Sequence, residues 1–319
     1  MLYVNSILVG IISGSVYSLI GVSMTLMYRS TGVLSIAHAA FAMVGAYLYA
    51  DLAGTKGWSR PIALFVALAV SVAYGLVVER VAIRPVRAAS ATTKLIVTLG
   101  VLSFTTGVIL STYGFQPTSA PLLLPDRVAR IGSLGVSYQQ LFVFGLAGAT
   151  AMGLGWFLVA TRMGTAIRAV AQHADAARLM GVSLNQVARI NWAIGAALAG
   201  ISGILIAPLA PVTAATFPLI VVKALTATLV GGLVSLPLTF LGGLGVGVAE
   251  SLTVLKASAP GAQELTVLVL VLVLLFARRS WPTEAAGGLD SGSPVRARRL
   301  TDLAERARER IPAGLHLGP

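Results

Sequence analysis

Residues 224–249 read ALTATLVGGLVSLPLTFLGGLGVGVA, 26 consecutive positions without a charged side chain. About 18 apolar residues in a row suffice for a helix to cross a bilayer, and no soluble core element needs a block this long. Five further uncharged stretches lie around it, at 1–28, 61–78, 95–125, 131–161 and 190–222. Four exceed that length, and 61–78 just meets it. The composition agrees. Of 319 residues, 56% are hydrophobic and 11% charged, against about 25% charged in an ordinary globular chain. Mean hydropathy is +0.88. So few charges cannot cover the surface of a soluble domain, so the fold class is an all-α polytopic membrane protein. A β-barrel is excluded, because its strands alternate in short dyads and do not form solid apolar blocks.

The pattern predicts spans at about 4–27, 33–50, 61–78, 95–112, 139–160, 190–210, 219–234, 236–254 and 263–277. The segments at 219–234 and 263–277 are short enough to be half-helices or re-entrant, so eight or nine transmembrane helices are expected. Arg29, Arg80, Arg84, Arg87, Lys94, Arg162, Arg168, Arg178, Arg189, Arg278 and Arg279 fall on one side, eleven in all. Five fall on the other: Lys56, Arg60, Arg127, Arg130 and Lys256. The positive-inside rule then places 79–94, 161–189 and the C-terminus in the cytoplasm and the N-terminus outside. The N-terminal MLYVNSILVGIISG has no basic stretch before its apolar run, which predicts a retained first span and not a cleaved signal.

The net charge of +12 is explained by this asymmetry, so no nucleic-acid partner is expected. The absence of cysteine excludes a disulfide scaffold, a thiolate metal site and a cysteine nucleophile. None of the four lysines sits in a G-x-x-x-x-G-K-[ST] loop, so ATP hydrolysis does not belong to this chain. His38, His173 and His316 have no metal-pair spacing, and no catalytic constellation is apparent; the expectation is a non-enzymatic chain without its own cofactor or metal. Gly10 with Gly14, and Gly243 with Gly247, are small-xxx-small pairs, and Ala196, Gly200 and Gly203 put small residues along one helix. Both patterns suit close helix packing, and unwinding or sliding of a transport helix is the functional alternative. Ionisable residues at membrane depth are functional candidates, which singles out His38, Lys223 and Glu250 as translocation-path residues. An interfacial or snorkelling position is the alternative for each.

Outside the spans, 113–138 is rich in proline, glycine and serine and predicts a short ordered cap. The transmembrane part ends near 280. Residues 281–319 form a cytoplasmic tail, linker-like over 282–294. Ser293 and Pro294 can then open a basic helix with Leu300, Leu303, Ala304, Ala307 and Ile311 on one face. That helix suits anionic membrane lipid, and a solvated tail is the alternative. Residues 162–205 read RMGTAIRAVAQHADAARLMGVSLNQVARINWAIGAALAGISGIL. A basic, helix-like run ends at Gly181, and Ser183 or Asn185 can cap the run that rises into the membrane. A short helix lying across the cytoplasmic face, with Ala169, Ala176, Ala177, Leu179 and Met180 available for burial, fits a groove on a soluble partner. An ordinary interfacial helix has a similar composition.

The segment RAVAQ (168–172) followed by AARLMGV (176–182) strongly resembles the coupling region of permeases from branched-chain amino-acid (Liv-type) ABC importers. Three further segments agree in order: GSVYSLIGVSMTLMYRSTGVLSIAHAAFAMVGAY (14–47), ERVAIRPVR (79–87) and KALTATLVGGLVSLPLTFLGGLGVGVAES (223–251). The resemblance covers about residues 1–280. It implies an inner-membrane permease subunit paired with a second homologous permease subunit. Two ATP-binding subunits that carry the ATP and Mg would stand beneath, and an extracytoplasmic solute-binding protein above. It also implies that Arg168, Ala169, Ala176, Ala177, Arg178, Leu179, Met180 and Gly181 form the ATPase-coupling surface. The family reads N-F-A-H-G-E or A-H-G after the first span, where this chain has Ser35-Ile36-Ala37-His38-Ala39-Ala40; the tail after 281 is also longer than the family norm. Branched-chain or related amino acids are the implied solutes, with amides and urea among relatives. A stand-alone secondary transporter or channel is the competing class, expected to show internal repeats and acidic or histidine relays.

Overall fold

The computed structural model describes residues 2–278 apart from 33, 126, 132, 133, 212 and 257–260. The tail expected at 281–319, with His316, lies outside the described residues, as does Arg279.

Each of the nine stretches expected to span is a helix. They are α1 (Leu2–Thr31), α2 (His38–Ala50), α3 (Arg60–Val78), α4 (Ala91–Tyr113), α5 (Tyr138–Ala160), α8 (Leu184–Ile206), α9 (Thr216–Val230), α10 (Leu236–Lys256) and α11 (Ala262–Arg278). Between α5 and α8 come α6 (Arg162–Gln172) and α7 (Ala174–Leu179). Among the described residues, six helices are long and apolar enough to cross a membrane. The other three, α2, α9 and α11, have 13, 15 and 17 residues. Two π-helical turns prolong α2 and α3, over Asp51–Thr55 and Glu79–Ile83.

Helix ends follow local chemistry. Gly32 adopts φ +66°, which an L-residue with a Cβ disfavours, and its N–H closes on Tyr28 O at 2.8 Å. That stop, and the turn at 36–37, delay α2 to His38 from the expected 33. At α8 the expected 190–210 becomes Leu184–Ile206. Ser183 Oγ accepts the Gln186 N–H at 3.4 Å, and Pro208 and Pro211 have no N–H with which to continue the ladder.

Helix α1 is apolar on every face and buried continuously from Ser15 to Met27, as expected of a helix wrapped by others. It packs against α10, α8, α9 and α5, while α2 is enclosed by α8, α3, α4 and α9. Small residues allow these approaches. A Cβ on Gly10 would lie 2.6 Å from Val248 Cα, and one on Gly14 would lie 2.6 Å from Gly243 O. The two glycine pairs singled out in the sequence therefore pack against each other, with α1 antiparallel to α10. On α8, Gly200 meets Gly45 of α2 on one side and Ser71 of α3 on another. Hydroxyls tie the interior across helices: Ser18 donates to Phe240 O at 2.6 Å, Ser71 to Phe41 O at 2.7 Å and Thr228 to Gly21 O at 3.2 Å. The periphery differs. Phe65, Phe104, Trp156 and Phe276 point outward from α3, α4, α5 and α11, a surface composition suited to lipid.

The segment after α4 is an ordered cap, as expected. Gln139 is buried, and its side-chain oxygen accepts the N–H groups of Leu123 and Leu124 at 3.0 and 3.1 Å. A short antiparallel hairpin, β1 (Val128–Ile131) with β2 (Leu134–Ser137), leads directly into α5. The sequence pattern did not predict this hairpin.

Candidate functional site

Lys223 of α9 and Glu250 of α10 meet in the interior, where Lys223 Nζ donates to Glu250 Oε1. Both are buried, at 8% and 7% exposure. Lys223 therefore does not take the snorkelling position that was its alternative; Lys223 and Glu250 neutralise each other across two helices. Helix α10 runs back along α1 because of the glycine contacts, which sets Glu250 beside Tyr17. The Lys223 ammonium lies 5.4 Å from the centre of the Tyr17 ring, within cation–π range. Glu250 Oε2 is buried and, among the described residues, makes no hydrogen bond of good geometry, although the Tyr17 hydroxyl interacts with the same carboxylate.

These three side chains border a cavity of about 520 Å³. Its walls come from the start of α1, the start of α5, the end of α8 and its following loop, α9, α10 and the start of α11. Ile12, Ile206, Leu209, Leu219 and Ile220 supply aliphatic surface, and Ser13, Thr213, Thr216, Gln140, Gln263 and Glu264 supply polar groups. All these elements contribute the ends nearest Leu2 and Lys256, so the cavity belongs to one end of the bundle.

His38 is not part of it. The first residue of α2, it is fully buried, with Nδ1 2.9 Å from Ser35 O, where it donates, and Nε2 unpartnered among the described residues. Its ring stands edge-on to Phe41, near Gly195 of α8. Of the three translocation candidates, the structure brings two together and leaves this one in the packed core. Sequence reasoning missed Tyr17, whose signal was a hydroxyl-bearing aromatic in mid-span of the first helix.

At the other end of the bundle α5 gives way to α6 and α7. The expected single coupling helix is two helices, parted at His173, whose φ of −147° breaks the helical run. Helix α6 lies on the bundle through Gly164, Ile167 and Val170. In α7, Ala177 also faces inward. It is therefore not available for docking. Ala169 and Arg168 are half-buried, with Arg168 Nε lacking a partner. Ala176 and Arg178 face outward, and Leu179 and Met180 stand 89% and 85% exposed. Gly181 then turns the chain at φ +84°, with open space where a Cβ would be. A neighbouring clamp went unread in the sequence: Arg87 donates both to buried Glu79 and to Asn185 at the start of α8, tying the first loop to this elbow.

Buried charges lining a cavity at one end of an all-helical bundle, with an apolar elbow exposed at the other, define a polytopic membrane transport subunit. The family described as branched-chain amino acid transport system / permease component matches residues 6–278, and the chain belongs to that family. Its relatives include the high-affinity branched-chain amino acid transport system permease protein BraD of Pseudomonas aeruginosa, 31% identical over 290 residues, covering 86% of this chain and 94% of BraD. The permease protein LivH of Escherichia coli K12 is 30% identical over 280 residues, covering 83% and 91%. A probable LivH of Methanocaldococcus jannaschii is 28% identical over 282 residues, covering 84% and 88%.

Proposed function

We propose that this chain is the membrane subunit of an ATP-driven importer of branched-chain amino acids and performs no chemistry itself. Its N-terminus is outside and its C-terminus cytoplasmic. ATP and Mg are bound by two partner ATPase subunits under the 162–183 elbow, a second permease subunit stands alongside, and a solute-binding protein docks on the outer face. The observation that carries this reading is the elbow. Leu179 and Met180 are adjacent, large and exposed beside Arg178, a pairing that suits the groove of a soluble protein better than water. The cavity occupies the opposite end, which the arginine distribution assigns to the outside, where solute would enter.

The first test is purification of the tagged chain from its native membrane in mild detergent, with co-purifying chains identified by mass spectrometry. A soluble chain bearing a G-x-x-x-x-G-K-[ST] loop and a second polytopic chain are expected. Vesicles containing that complex and the binding protein should then accumulate leucine only with ATP inside the compartment that holds the ATPase. Recovery of this chain alone, with uptake driven by an ion gradient, would replace the importer reading with a secondary carrier.

A further inference from the structure

The geometry points to the Lys223–Glu250 cavity as a transit site for the zwitterion of an aliphatic amino acid. The solute's carboxylate is taken by Lys223 and its ammonium by Glu250. The inference rests on the importer reading and goes beyond it by assigning recognition to the permease itself.

The cavity has the dimensions of a small-molecule site, which usually fall between about 300 and 1,000 Å³, and its volume is about 520 Å³. It also offers two chemistries. Ile12, Ile206, Leu209, Leu219 and Ile220 form an aliphatic lining, and the remainder is polar: the charged pair with Tyr17, the Glu264 carboxylate, and neutral side chains such as Gln140 and Thr216. An amino acid such as leucine has the same division, a charged head and a branched apolar body.

The pair has spare capacity on both partners. A lysine ammonium carries three N–H donors, and one is used on Glu250 Oε1. A carboxylate has two oxygens, and among the described residues Glu250 Oε2 makes no hydrogen bond of good geometry despite its burial beside Tyr17. When the site is empty the two charges neutralise each other. Opening the pair onto a zwitterion exchanges one ion pair for two, so neither protein charge is left bare in a desolvated place. A solute with one charge can open the pair only by stranding one partner, and a neutral amide or urea offers no charge onto which the pair can open. Unpaired buried charges are strongly unfavourable, so the site selects by charge count before it selects by shape. Because the protein pair reforms when the solute leaves, the exchange is nearly balanced, as passage through a transporter requires. Tyr17 adds a π face against which either ammonium can rest.

The test uses the complete permease–ATPase complex in lipid nanodiscs, without ATP and without the binding protein. Retention of tritiated L-leucine is measured, with four competitors: unlabelled L-leucine, 4-methylpentanoate (no ammonium), 3-methylbutylamine (no carboxylate) and urea. Saturable binding is expected, with the two single-charge analogues on the order of tenfold or more weaker than leucine and urea without effect. Competition by either single-charge analogue equal to that of leucine overturns the proposal, and so does the absence of saturable binding. The exchanged pair K223E/E250K keeps an ion pair but turns the zwitterion's side chain away from the aliphatic wall. Its leucine affinity should fall by on the order of tenfold in a complex that still elutes intact. Unchanged affinity would make the pair purely structural. ATP-driven uptake by the wild-type complex with its binding protein is scored separately. Uptake present with charge-blind binding overturns the transit site alone; uptake absent overturns the importer reading.

Discussion

At the end of the bundle that carries Leu2 and Lys256, two charged side chains are buried in an apolar protein. At the end that carries Gly181, two large apolar side chains stand in the open. Lys223 and Glu250 are each less than one-tenth exposed, whereas Leu179 and Met180 exceed four-fifths. Each arrangement reverses what folding alone would select, since buried charge costs free energy and exposed leucine gains none. The glycines differ in the same way. Gly14 and Gly247 are small because another helix backbone occupies the place of a Cβ, whereas Gly181 faces empty space and is favoured by its positive φ. Interior constraints are therefore steric and electrostatic within the chain. Elbow constraints leave surface free for another molecule.

The largest expected effect breaks the buried end. Glu250→Gln leaves the Lys223 ammonium without its counter-charge, and loss of one partner of a buried pair typically costs about 3–5 kcal/mol. The thermal unfolding midpoint of the detergent-solubilised complex should fall steeply. Replacing both charges, K223M/E250L, should recover most of that loss, because a buried pair gives little net stability over apolar packing. Uptake should stay low in the double variant; full uptake would show that the charges serve folding alone.

A second break is steric. Gly14→Val forces a side chain into the backbone of α10 near Gly243, and overpacking of this kind costs about 1–3 kcal/mol. Expression in the membrane and the unfolding midpoint should both fall. The elbow should respond in the opposite way. Gly181→Trp adds bulk where this chain has room, so the unfolding midpoint should move little beyond the backbone cost of about 1–2 kcal/mol for a residue with a Cβ at positive φ. Uptake and recovery of the ATPase subunit should be lost. Gly181→Asn tolerates the left-handed backbone and should retain both. If Trp is tolerated as well as Asn, no partner stands against this surface.

Much of the bundle was legible because uncharged blocks are long and charges mark their ends. All nine helices lie within two turns of expectation, and the Ser183 cap and the glycine pairs were readable as local patterns. The illegible part depends on how helices are placed against one another. In lipid, a side facing acyl chains and a side facing protein are equally apolar, so the sequence of α1 does not announce that it is central. Lys223 and Glu250 lie 27 positions apart on separate helices and Tyr17 is far from both in the chain, so their meeting is set by how α1, α9 and α10 pack on one another. The inward turn of Ala177 in the short α7 was hidden for a related reason. An alanine-rich helix has no strong apolar face to declare which side is buried.

The smallest expected effect separates the elbow's own fold from its use. Ser183 caps α8 through a 3.4 Å contact to the Gln186 N–H, longer than an ideal bond. Ser183→Ala should therefore cost about 0.5–1 kcal/mol, the low end for a lost N-cap. The adjacent pair L179A/M180A removes exposed surface that contributes little to this chain's stability, so its unfolding midpoint should match the wild type. ATPase recovery should fall on the order of tenfold, as for truncation of apolar anchors at an interface. The two variants thus predict opposite signs of the same comparison: Ser183→Ala shifts the midpoint and keeps the ATPase, and L179A/M180A keeps the midpoint and loses it. If both variants shift the midpoint and both keep the ATPase, then Leu179 and Met180 belong to the fold of the elbow and the docking surface lies elsewhere on α6.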